Sequence, residues 1–129
     1  MYLKKRRFPH LKVKTGLCIL LYHGVTRVKS KGIENWSFKH LPAERFEKQM
    51  EYIKKHCSVL SMDKIIDIMN KGDRFPARST AVTLDDGFEN IYSVAAPILE
   101  KLNIPATFYI ATHFIDSDRM FWVDKLEDC

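Results

Sequence analysis

Between Thr80 and Glu89 the chain reads Thr-Ala-Val-Thr-Leu-Asp-Asp-Gly-Phe-Glu. The apolar run Ala81–Leu84 is short, aliphatic or β-branched, and ends in two adjacent carboxylates and a glycine. Such a run, bounded by turn residues, predicts a buried strand. Gly87 allows a turn that a residue with a Cβ resists. Asp85 and Asp86 therefore stand at the carboxyl end of a buried strand, which in α/β folds is the end where ligands and chemistry collect.

Two neighbouring acids at a partly desolvated strand end raise one another's pKa unless a cation compensates, and a divalent metal is the simplest compensator. Side chains alternate along a strand, so the two carboxylates are expected to point in different directions. One can then hold a metal while the other faces a bound water, a division suited to metal-assisted hydrolysis. Asp-Asp-Gly is also ordinary turn chemistry, and the tripeptide alone does not decide between the two.

The rest of the chain alternates strand and helix patterns. Leu17–Leu21 predicts a first buried strand ending at Tyr22 and His23, and residues 27–39 predict a long polar loop carrying Trp36 and Phe38. Those two aromatics either flank a groove or pack the loop down. Pro42 opens a helix, a position that suits proline, with Phe46, Met50, Ile53 and Cys57 on its buried face. Val59-Leu60 is a brief strand. Ser61 is placed to cap a second helix that buries Ile65, Ile66, Ile68 and Met69 and stops at Gly72. After the Asp-Asp strand, residues 91–102 read as a helix that Pro97 kinks or starts, and Ala106–Ile110 as another strand. Strands separated by helices predict parallel βα units in one sheet.

With 129 residues, 46% of them hydrophobic, the chain can form one modest domain with its own core. Its formal charge of +5 is concentrated at the start: Lys4, Lys5, Arg6, Arg7, Lys12 and Lys14 lie within residues 1–14, a stretch without acids. The body, from residue 15 to 129, is near neutral, so the basic character marks a tail and not a nucleic-acid-binding face. The tail is either a solvated terminus or a loose attraction to anionic lipid or polymer. Cys18, Cys57 and Cys129 form neither a Cys-x-x-Cys pair nor an even set, and suggest no disulfide framework. Leu17–Leu21 is too short to span a membrane, and no small-residue cleavage site follows it. A cytoplasmic protein is the expectation.

Four stretches in order resemble one family. Thr83-Leu84-Asp85-Asp86-Gly87-Phe88 is similar to the first signature of the polysaccharide deacetylases, the NodB-homology or carbohydrate esterase 4 group. Leu21-Tyr22-His23-Gly24-Val25 resembles the first-strand signature of many members. Pro97-Ile98-Leu99 with Ile104-Pro105-Ala106-Thr107-Phe108-Tyr109 resembles the segment after the Asp-Asp motif, and Phe121-Trp122-Val123-Asp124 an aromatic stretch further on. The resemblance implies the amino-terminal part of a deformed (β/α) barrel. It implies a hydrolase that removes N-acetyl groups from N-acetylhexosamine glycans with a divalent metal, commonly zinc. Carried over, Asp85 is the general base and Asp86 a metal ligand. His23 and Tyr22, at the end of the first strand, are candidates for contacting substrate or buttressing the site, with a structural role as the rival for His23.

The family's paired histidine ligands belong to a motif that is not matched. The histidines are His10, His23, His40, His56 and His113, with no two of them three to five residues apart. His113 follows a predicted strand, but its surroundings do not fit the motif. The expectation is therefore a partial domain, inactive by itself, weak for zinc, and prone to self-association through uncovered sheet edges. Two rival readings stand beside it: a non-catalytic sugar-binding remnant, and an α/β phosphotransfer or signalling domain with an acidic Mg²⁺ pocket.

Overall fold

The computed structural model describes residues 16–28, 35, 39–117, 119 and 125. The basic tail, Trp36, Phe38 and the stretch Phe121–Asp124 lie outside the described residues. Among those described, the order is β1 (Leu17–Tyr22), β2 (Gly24–Thr26), β3 (His40–Pro42), α1 (Ala43–His56), β4 (Ser58–Val59), α2 (Met62–Lys71), β5 (Ser79–Asp86), a π-helical turn (Ile91–Ala95), α3 (Ala96–Lys101), β6 (Ala106–Ile110) and a 3-10 turn (Thr112–Phe114).

β5 is the axis of the sheet. β1 runs parallel along one side of it, from Leu17 opposite Ser79 to Tyr22 opposite Leu84. The other side is shared: β4 pairs parallel with Ser79 and Thr80, and β6 parallel with Val82–Asp86. The predicted parallel arrangement of the first, Asp-Asp and last strands is what forms, giving an α/β half-barrel-like sheet. Ser79–Leu84 are all buried, as expected of a central strand covered on both faces.

α1 lays Phe46, Met50 and Ile53 into the core beside Val82, Leu84, Ile98 and Leu99. Pro42 stands at its N-cap position. Ser61 caps α2 by accepting the Lys64 N–H at 3.2 Å, and Gly72 ends it in the left-handed region at φ 67°. The buried face of α2 is narrower than its composition suggests. Ile65 and Ile68 are buried, while Ile66 and Met69 are exposed. α2 meets the body along one stripe, and residues about 100° round the helix from that stripe face outward. Cys18 and Cys57 are half-buried free thiols.

Pro97 sits in the first turn of α3, directly after the π-helical turn, so it starts a helix. The loop over residues 27–39 has an unforeseen frame: β2 and β3 at its ends pair parallel, Gly24 opposite His40, as a separate two-stranded sheet. Asn35 supports that frame. Its side-chain amide accepts the His40 N–H at 2.9 Å and donates to the His40 carbonyl at 2.8 Å. Among the described residues no helix is long and apolar enough to cross a membrane.

Candidate active site at the carboxyl end of β5

The last two residues of β5 are Asp85 and Asp86, opposite Tyr109 and Ile110 of β6. Asp86 and Gly87 both adopt positive φ, 75° and 80°. Two left-handed residues in succession swing the chain sharply off the sheet. Glycine suits the second position through its φ, and an added Cβ would also lie 3.1 Å from Ile110 Cγ2, closer than ordinary contact. Aspartate is among the residue types that tolerate this region, and Asp86 is one of five non-glycine residues at positive φ among those described.

The two carboxylates then meet different surroundings. Oδ1 of Asp85 is buried and has no hydrogen-bond partner among the described residues. A buried carboxylate oxygen without a donor is costly to keep in place. Oδ2 of Asp86 lies 4.0 Å from Nε2 of His23, and both side chains are partly open to solvent. His23 comes to the same mouth as Asp86 from the end of β1. Tyr22 goes elsewhere. Its hydroxyl donates to Gln49 Oε1 of α1 at 2.7 Å, and its ring packs edge-on against Phe46 with centroids 5.0 Å apart. Burial, with a smaller effect of the nearby Cys18, pushes its pKa up to about 12. Tyr22 thus joins strand to helix and spends its one proton inside the fold. His113 stands in the 3-10 turn after β6, where its ring meets the Arg119 guanidinium and the Phe114 ring.

Sequence reasoning missed a knot beside the aspartates. Asn90 Nδ2 lies 2.9 Å from His40 Nδ1, and Asn90 Oδ1 accepts the Val25 N–H at 3.4 Å. The His40 ring stands edge-on to Phe88, centroids 4.8 Å apart, and Lys39 Nζ lies 5.2 Å from the centre of the same ring. The one available signal was the close following of Phe88 and Asn90 on the Asp-Asp-Gly turn. His40 lies 50 residues away and carried no local pattern.

A divalent ion fits this arrangement in part. The orphaned Asp85 oxygen and the Asp86–His23 pair are what a cation or its water would satisfy. Yet among the described residues no group of three or more metal-ligating side chains exists, and catalytic zinc ordinarily takes three protein ligands.

The polysaccharide deacetylase family profile matches residues 72–126, a span that includes this strand and turn. The chain is 35% identical over 98 residues to the poly-β-1,6-N-acetyl-D-glucosamine N-deacetylase of Staphylococcus aureus strain N315, covering 75% of this chain and 32% of that protein. The enzyme of the same name from Staphylococcus epidermidis is 36% identical over 89 residues, covering 68% of this chain and 29% of the relative. The chain thus spans about a third of the length of the curated relatives it matches. A de-N-acetylase from Aggregatibacter actinomycetemcomitans superposes with a TM-score of 0.66 at 25% identity, over 78% of this chain and 39% of that one. IcaB from Ammonifex degensii does so with 0.62 at 26% identity, over 74% and 38%.

Proposed function

We propose, from its match to the polysaccharide deacetylase profile and its similarity to the N-deacetylases above, that the chain belongs to that family and supplies the base and one metal ligand of an enzyme that hydrolyses N-acetyl groups on polymers of N-acetylglucosamine. The observation that carries this reading is the buried, unpartnered Asp85 Oδ1 beside an Asp86 that faces His23. Asp86 is the ligand, its carboxylate partly open to solvent beside His23, and zinc is the ion we assign to it. When bound, such an ion supplies Lewis acidity at the acetamide carbonyl and lowers the pKa of its water. Asp85 accepts the proton of the attacking water: its free oxygen has no internal donor to compete for it. His23 steadies the Asp86 carboxylate or contacts the sugar. Among the described residues no group of three or more ligating side chains gathers at Asp86. Self-association is assigned to the outer strands, where Ile19 and Leu21 of β1 and Phe108 and Ile110 of β6 are exposed.

The test separates the two acids in the protein that carries this chain. Acetate release from β-1,6-linked N-acetylglucosamine oligomers is measured beside metal content. Asp85→Asn keeps metal and loses roughly 10²–10⁴-fold in turnover, the usual cost of removing a general base. Asp86→Asn loses metal. Metal lost from Asp85→Asn and kept by Asp86→Asn reverses the assignment, and unchanged turnover in both refutes it.

A further inference from the structure

The two sides of the candidate site come from distant parts of the chain: His23 and Gly24 from the end of β1, Asp86 and Gly87 from the end of β5. No backbone pairing joins these corners directly, because the β1–β5 register ends at Tyr22 and Leu84. The Asn90–His40 pair bridges them. Asn90 follows the Asp86–Gly87 turn by a few residues and reaches back to the Val25 N–H, one residue beyond Gly24. His40 pairs with Gly24 in the small sheet and rests on Phe88 of the turn. Gly24 is what lets them meet. A Cβ there would fall on the His40 imidazole and within 2.8 Å of Asn90 Oδ1.

The hydrogen bonds also fix a protonation pattern. The Val25 N–H can only donate, so the Asn90 atom facing it is the oxygen. The amide nitrogen is then the atom facing His40 Nδ1, and it can only donate. His40 Nδ1 must accept, so the neutral ring carries its proton on Nε2.

We propose that Asn90 and His40 are positioning residues: a clamp that holds the His23–Gly24 corner against the Asp86–Gly87 turn and so sets the distance between the two sides of the site. The clamp itself stands on geometry; its effect on turnover rests on the deacetylase reading above. With the bridge cut, the corners lose their shared anchor, and a displacement of about 1 Å at a reacting centre can cost about 10²-fold in rate.

The first arm of the experiment needs no substitution. Nitrogen-15 spectra of the labelled chain at about pH 8, above the ordinary range of histidine, read the His40 tautomer; the Nε2–H form is expected, and the Nδ1–H form overturns the proposal. The second arm adds Asn90→Ala and Asn90→Asp. Asn90→Ala speeds exchange of the Val25 amide proton and shifts the His23, Gly24, Asp86 and Gly87 amides, while those of Ile65 and Ile68 in α2 stay put. Asn90→Asp can only accept, so it keeps Val25 protected and switches His40 to the Nδ1–H form. In the protein that carries this chain, Asn90→Ala lowers kcat about 10²-fold at unchanged KM and metal content, and Asn90→Asp regains most of that loss. Ser93→Ala, on the same turn but bonded outward to Glu89, changes nothing. Full kcat in Asn90→Ala overturns the positioning role. No acetate release by the unaltered protein refutes the deacetylase reading instead, and the first arm still decides the clamp.

Discussion

The two ends of β5 obey opposite rules. At its start every buried polar group has a partner. Ser79 Oγ donates to the Pro76 carbonyl at 2.8 Å, Thr80 Oγ1 to the Arg78 carbonyl at 3.3 Å, and the Thr80 carbonyl accepts the Leu60 N–H at 2.8 Å. At its far end Asp85 keeps a buried oxygen without a donor, and Asp86 takes a left-handed backbone. A left-handed residue stands at each end of the strand, Arg78 at φ 57° and Asp86 at φ 75°, so what separates the two ends is the unanswered Asp85 oxygen. The lesson is that burial alone does not mark a site. Ser79 and Thr80 are more buried than either aspartate; what differs is whether the buried groups are answered from inside the fold.

The largest expected effect lies at the boundary. Leu84 is fully buried and adjoins Asp85. Leu84→Ala should cost about 2–5 kcal/mol, read as a lower urea midpoint at constant slope. A loss under about 1 kcal/mol would mean that the packed half of the strand ends earlier than Leu84.

The turn comes next. Gly87→Ala places a Cβ at φ 80° and against Ile110, so it should cost at least about 1–2 kcal/mol, the penalty for an L-residue held in the left-handed region. Asp86→Gly, which relieves the same kind of strain, should not destabilise. Equal losses in both would show that the turn is not strained at Asp86.

A smaller, pH-dependent effect belongs to Tyr22, which ties β1 to α1 on the structural side. Its folded pKa, raised from 10.0 to about 12, means that folding favours the neutral hydroxyl. That stability is fully present below pH 10.0 and is lost as the pH climbs through about 12. Tyr22→Phe should lose about 1 kcal/mol at neutral pH, for want of the Gln49 bond, and show a flatter stability curve above pH 10.0. An unchanged alkaline slope would assign the loss to another group.

Much of the frame was legible. The short buried run Ala81–Leu84 before Asp85 and the Ser61 and Gly72 signals bounding α2 are local patterns, and local patterns survive into the fold. The placement of His23 also followed from topology, since parallel strands bring their carboxyl ends to one side. The small β2–β3 sheet was not legible, because three-residue strands have no period and are fixed by partners far along the chain. The exposure of Ile66 and Met69 depends on how wide a stripe α2 has to rest upon, which composition does not record. Tyr22 shared its signature with His23, yet alternation along β1 sends its side chain to the core. The Asn90–His40 bridge joins two ordinary polar residues, and only the fold brings them together.

The central claim is that the carboxyl end of β5 gives up stability for chemistry while its start does not. Urea unfolding of Ser79→Ala and Asp85→Leu, side by side with the unaltered chain, tests it most directly. Ser79→Ala should lose about 1 kcal/mol, the worth of an ordinary buried hydrogen bond. Asp85→Leu removes an unanswered carboxylate and should unfold at the same or a higher urea concentration. An Asp85→Leu chain that loses as much stability as Ser79→Ala, at unchanged slope, would contradict the account, because Asp85 would then be held by the fold rather than held open for a reaction.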